Sequence, residues 1–127
     1  MNEPRTEGLL LFAHGARDAA WAQPFEAVAG RLRAARPDVP LSLAYLEFMS
    51  PDIEAATTTL VAAGCTRIHV MPLFLGTGGH VRRDVPALLD RLRERHGQTV
   101  DFQLHPPLGE HEAVLDAMSQ ACASVLP

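Results

Sequence analysis

The stretch Met71-Pro-Leu-Phe-Leu-Gly-Thr-Gly-Gly-His80 decides how this chain folds. It opens as an apolar run, turns glycine-rich and ends on a histidine. Arg82, Arg83 and Asp84 follow, and then a helical pattern begins. A buried strand that gives way to a flexible loop with one ligand-type side chain is how an open α/β sheet presents chemistry at its carboxyl edge. An earlier stretch has the same form. Leu9-Leu-Leu-Phe-Ala13 is apolar throughout, and His14-Gly15 closes it. The two histidines are expected to meet.

Working outward, the apolar run Leu9–Ala13 predicts a first strand covered on both faces, as in a parallel sheet. Residues 1–8 read as a flexible lead-in. Trp21, Phe25, Val28 and Leu32 recur at helical spacing up to Pro37, with Pro24 in the first turn. Leu41–Leu46 is the second strand, followed by Glu47. Ser50-Pro51-Asp52 supplies an N-cap, a first-turn proline and an early acid for the next helix, which Gly64 closes. Arg67 to about Leu75 holds the third strand and its exit. Asp84 is expected to cap the next helix, with Pro86 in its first turn and Val85, Leu88, Leu89 and Leu92 buried. Val100-Asp-Phe-Gln-Leu104 alternates strictly, which predicts a strand at the edge of the sheet. Val114, Leu115, Met118, Cys122 and Val125 form one face of a last helix.

The pattern is βα four times over within 127 residues, enough for a single domain spanning 1–127. Right-handed crossovers then require a parallel sheet covered by helices on both sides. The simplest architecture is α/β and flavodoxin-like, with three layers and a four-stranded sheet in the order 2-1-3-4.

Composition narrows the function classes. A formal net charge of −4 argues against a nucleic-acid surface. No apolar run approaches the roughly 20 residues a membrane span needs. Cys65 and Cys122 have no metal-type spacing and no signal peptide precedes them, so buried free thiols in a reducing cytoplasm are expected. All eleven basic residues are arginine, the better fork for carboxylates. Base composition of the genome is the better explanation of that bias, and it leaves the arginines usable.

Each predicted strand exit carries a titratable group: His14, Glu47, His80 and His105. In the order 2-1-3-4 the first and third strands are neighbours, and their helices leave to opposite sides. His14 and His80 therefore flank the switch-point crevice, with Glu47 one strand away. Two imidazoles and a carboxylate suit Co²⁺, Fe²⁺, Ni²⁺ or Zn²⁺ and leave coordination positions open. A single loop histidine is more often a surface residue than a ligand, and Glu47 serves equally well as a helix cap or an arginine partner. His105, before two prolines, reads as a turn residue, and His69 as a satisfied sheet residue. His96 complements a helix dipole, and His111 opens the last helix. The Gly76-Thr-Gly-Gly79 loop lacks the P-loop lysine and fits no dinucleotide fingerprint; its glycines read as freedom to close over a ligand.

These residues resemble a family. His14-Gly-Ala-Arg-Asp18, Tyr45-Leu-Glu47, Pro72-Leu-Phe-Leu75, Gly79-His80 with Asp84-Val-Pro86, and Leu108-Gly109-x-His111 together are similar to the small class II chelatases that insert a divalent metal into sirohydrochlorin. These are the short CbiX-type cobaltochelatases and the SirB-type ferrochelatases. The likeness runs from about Leu9 to the last helix. Ala16 stands where the family often has serine, and Glu112 where it often has proline.

The resemblance implies a chelatase of sirohaem or cobalamin synthesis, with sirohydrochlorin as partner and Co²⁺ or Fe²⁺ as the metal substrate. Ni²⁺ or Zn²⁺ would be accepted in vitro, with no organic cofactor. It implies that His14 and His80 bind the metal, with Glu47 as a further ligand or proton acceptor. Since neutral imidazole is the ligand, activity is expected to fall below about pH 6.5. Arg17, Arg82 and Arg83 would pair with substrate carboxylates. Phe74, Leu75, Gly78 and Gly79, with Phe48, would line the macrocycle site. Larger relatives hold two such domains across a cleft, which implies a homodimer here. The competing reading is a non-catalytic metal or tetrapyrrole carrier using the same histidines.

Overall fold

A computed structural model describes residues 6–127 of the chain. Four strands form one parallel sheet in the order β2-β1-β3-β4, as expected. They are β1 (Glu7–Ala13), β2 (Leu41–Tyr45), β3 (Arg67–Pro72) and β4 (Asp101–Leu104). The helices are α1 (Gln23–Ala35), α2 (Ile53–Ala62), α3 (Gly79–His96) and α4 (Glu112–Ala123). Short 3₁₀ turns at Ala19–Ala22 and Leu108–Glu110 precede α1 and α4. The strand reaches back to Glu7, so residues 7 and 8 belong to the sheet and not to a lead-in; residues 1–5 lie outside the described part.

Alternation along β1 divides the core. Leu10 and Phe12 face α2 and α3, where Ala56, Leu60, Val85, Leu89 and Leu92 meet them. Leu11 and Ala13 face α1, with Leu43, Tyr45 and Ala29. A strand apolar at every position is what two covered faces require. Phe12 also packs edge-on against Phe74, ring centroids 5.9 Å apart, which fixes the start of the loop after β3.

Two helix boundaries and the burial of a third helix differ from the sequence expectation. The N-cap of α2 is Asp52, not Ser50: its carboxylate accepts the Ala55 N–H at 2.8 Å. Helix α3 begins at Gly79 and not after Asp84, which leaves Pro86 inside it. The reason is Val81, buried one turn ahead of Val85, Leu89 and Leu92 on the same stripe. That packing carries the helix through a proline that removes one backbone hydrogen bond. The third difference is in α4, none of whose residues is buried. Cys122 is accordingly exposed, contrary to expectation, while Cys65 is buried. The helices covering the two sheet faces are thus α1 on one side and α2 with α3 on the other.

Candidate functional site

The site is built where β1 and β2 end. Beyond the last ladder pair, Ala13 with Tyr45, the two exits stay clamped. The Leu46 N–H donates to Ala13 O at 2.9 Å and the Glu47 N–H to His14 O at 3.1 Å. Gly15 makes this approach feasible. It has φ +93°, and a Cβ there would stand 1.9 Å from Glu47 O. Phe48 then takes φ +66°, rare for a non-glycine residue.

The clamp aims the two side chains at each other. His14 Nε2 lies 2.9 Å from Glu47 Oε1. A carboxylate only accepts, so Nε2–H donates and Nδ1 is the imidazole's second nitrogen. The side chains are 41% and 45% exposed, open enough for a solute to reach. The His14 ring stands edge-on to Phe74, centroids 6.3 Å apart, and Phe74 belongs to the core. A rigid apolar wall thus backs the imidazole.

His80 is the second residue of α3, in the helix's first turn rather than in a loop. Because β3 is paired to β1, the loop from Leu73 to Gly78 brings that turn to the same sheet edge. Among the described residues, no three His, Cys, Asp or Glu side chains gather in a set that could hold a metal. The donor set seen directly is the pair His14 and Glu47. Borderline-soft nitrogen beside carboxylate oxygen suits a first-row divalent ion.

The other expected site residues divide. Arg17 sits over the Phe48 ring, 4.9 Å from its centroid, which ties the β1 exit to the β2 exit. Both are exposed. Arg82 lies on α3, its Nε 3.4 Å from Thr77 Oγ1. It borders a cavity of about 190 Å³ that Phe74, Val81, Leu104 and His105 also line. Arg83 is exposed on the same turn. Leu75 is exposed, unlike Phe74. Gly78 and Gly79 would tolerate a Cβ, with nothing within 4 Å. Backbone geometry therefore gives neither glycine a structural reason to be there.

Two features escaped the sequence reading. His105 is not a plain turn residue: its Nε2 lies 2.9 Å from His69 Nδ1, and His69 Nε2 lies 2.8 Å from Glu7 Oε2. With both rings neutral, His105 donates to His69 and His69 donates to Glu7. His69 is thus the satisfied sheet residue expected. Gly109 is the second: a Cβ there would fall 1.7 Å from Leu75 O, and its N–H donates to Phe74 O at 2.9 Å. This pins the approach to α4 against the loop after β3. The Leu-Gly pair was visible in sequence, but its partner was not.

Fold and site together define a class: a parallel α/β domain of flavodoxin type with an imidazole–carboxylate donor pair at the carboxyl edge of its sheet. The CbiX family model matches residues 8–125. A sirohydrochlorin cobaltochelatase of Saccharolobus solfataricus is 32% identical over 112 residues, covering 84% of this chain and 86% of that protein. A sirohydrochlorin ferrochelatase of Priestia megaterium is 31% identical over 113 residues, covering 88% of this chain but only 42% of that protein. A crystal structure of a cobalamin-biosynthesis CbiX protein from Marinobacter aquaeolei superposes with a TM-score of 0.83 at 31% identity, covering 94% of this chain and 97% of that one. The chain belongs to the CbiX family.

Proposed function

We propose that this protein is a sirohydrochlorin chelatase, a lyase that inserts Co²⁺ or Fe²⁺ into the tetrapyrrole. Names of relatives carrying both metals support the reaction class. The observation that carries the site assignment is the His14–Glu47 pair, held at 2.9 Å beside Phe74 by a backbone clamp.

The reaction exchanges two pyrrole N–H protons for one M²⁺. Without metal, imidazole and carboxylate satisfy each other. An arriving cation competes for Nε2 and the carboxylate; the ring proton moves from Nε2 to Nδ1, so the imidazole binds the ion as a neutral ligand and no net proton is released at capture. Once the ion passes to the macrocycle, the vacated imidazole and carboxylate are bases placed to accept the pyrrole protons. His80, in the first turn of α3, is the third residue of this set. Exposed Phe48 and Leu75 offer apolar surface to the macrocycle, and Gly78 and Gly79 leave room for it. Arg17, Arg82 and Arg83 face its carboxylates. The metal is a substrate; Ni²⁺ and Zn²⁺ are accepted in vitro, and no organic cofactor takes part. The whole of 1–127 acts as one domain in the cytoplasm, and two copies assemble the cleft that longer relatives build within one chain.

The test is anaerobic absorbance with sirohydrochlorin and Co²⁺ or Fe²⁺. Wild type should turn over many equivalents, and His14→Ala and His80→Ala should not exceed the uncatalysed rate. Metal and tetrapyrrole binding without acceleration would establish a carrier instead.

A further inference from the structure

The exit of β4 is braced along its length. At its start the His105 N–H donates to Val70 O at 3.0 Å, one bond beyond the β3–β4 ladder. Pro106 and Pro107 follow, and proline rings leave φ no freedom. The Leu108–Glu110 turn is closed by bonds from the Glu110 N–H to Pro107 O and from the His111 N–H to Leu108 O, each 2.9 Å. Leu108 packs on the core of the α1 face. Pro107 borders the cavity that Phe74, Val81 and Val85 line. The brace at His105 is a backbone bond, so it survives loss of the ring contact to His69.

At its far end this segment bears on the loop after β3. The Gly109 N–H donates to Phe74 O at 2.9 Å, and a Cβ on Gly109 would fall 1.7 Å from Leu75 O. Gly109 is not among the glycines of positive φ, so close approach and not backbone conformation excludes a side chain there. Among the described residues, two backbone bonds tie this loop to the rest of the sheet edge: Leu73 N–H to Phe12 O at 2.8 Å, and Gly109 N–H to Phe74 O. The Phe74 ring stands edge-on to Phe12 and to His14, at 5.9 and 6.3 Å. Gly109 thus presses on the backbone of the residue whose ring backs the imidazole, at the root of the loop that leads to His80.

We propose that the β4 exit is a strut that sets the position of Phe74 and of the loop leading to His80, and that Gly109 is the positioning residue through which it acts. This rests on the reading above that His14 and His80 hold the metal. Gly109 belongs to neither the metal donors nor the macrocycle wall; it acts through Phe74 and Leu75. An alanine there must part from Leu75 O by about 1.6 Å to reach an ordinary C···O distance of about 3.3 Å. The proline-stiffened segment is anchored at His105 and Leu108, so the glycine-rich loop is the side that moves. A misplacement of about 1 Å costs roughly 10²-fold in rate, and disturbing what orients a metal-binding imidazole costs roughly 10–100-fold in affinity.

Co²⁺ titration of the full chain, followed by visible absorbance, reads this without turnover. Gly109→Ala should bind Co²⁺ roughly 10-fold or more weakly than wild type, with shifted bands, at a temperature where both are folded. In a His14→Ala background the same change should cost nothing further, because the affinity it perturbs is already lost. Gly30→Ala, on α1 with nothing within 4 Å of an added Cβ, should match wild type. A lowered urea midpoint with wild-type Co²⁺ affinity and bands makes Gly109 a structural residue and overturns the proposal. If Gly109→Ala does not fold, Pro106→Gly/Pro107→Gly decides. It loosens the strut without adding an atom, and should weaken Co²⁺ binding several-fold with unchanged far-UV circular dichroism; unchanged affinity refutes the strut. A wild type that binds Co²⁺ through His14 but never inserts it refutes the chelatase reading and leaves this one standing. Wild-type affinity in His14→Ala refutes both.

Discussion

Replacing Gly15 with alanine should damage both stability and the site, for a reason the distances define. The residue has φ +93°, and the added Cβ would stand 1.9 Å from Glu47 O. An ordinary C···O contact is about 3.3 Å or more, so the β2 exit must withdraw by about 1.4 Å. That movement breaks the 3.1 Å bond from the Glu47 N–H to His14 O, a loss of about 1 kcal/mol. Holding a non-glycine residue in the left-handed region adds about 1–2 kcal/mol. The sum is about 2–3 kcal/mol, at the upper end of what single substitutions do. With a urea m-value of about 2 kcal/mol/M, the unfolding midpoint should fall by about 1–1.5 M. Because Glu47 moves with its backbone, chelation should fall along with stability, at temperatures where the variant remains folded. Gly78→Ala is the control: its φ is −81° and a Cβ there meets nothing within 4 Å. Its midpoint should match wild type. A Gly15→Ala protein with the wild-type midpoint would refute the claim that close approach at Gly15 holds the two exits together.

Three further outcomes are expected. Glu47→Gln keeps the side-chain shape and a possible hydrogen bond but removes the charge, so single-turnover insertion should slow by roughly 10²-fold while folding stability changes little; an unchanged rate removes Glu47 from the proton and metal chemistry. Burial pushes the Cys65 thiol pKa up, whereas Cys122 is exposed. A thiol reagent at neutral pH should therefore modify one cysteine per folded chain, Cys122, and two only after unfolding; fast labelling of Cys65 would contradict its burial. His69→Ala leaves Glu7 and His105 without their shared partner. It should lower stability by about 1–2 kcal/mol in a urea melt with turnover intact, because this chain of bonds lies away from the His14–Glu47 pair; a lost turnover at full stability would give it a role in the reaction.

The sequence by itself determined the sheet and its order. The all-apolar run at Leu9–Ala13, the alternation at Val100–Leu104 and the βα period admit few other right-handed parallel arrangements. It also determined that His14 and Glu47 share one edge, since consecutive strand exits in a parallel sheet must. Family motifs such as His14-Gly-Ala-Arg-Asp18 were legible for the same reason: the residues are contiguous. Tertiary structure decided the rest, through contacts between segments far apart in the chain. Val81 carries α3 back to Gly79 because it packs below Val85, and this overrides Pro86 as a start signal. His105 meets His69 only because β3 and β4 pair in one register. The stripe on α4 was visible as periodicity, but periodicity does not say what covers a face. Tertiary structure decided that this face stays open: none of the residues of α4 is buried, and β3 and β4 pair Arg67 with Asp101 and His69 with Gln103.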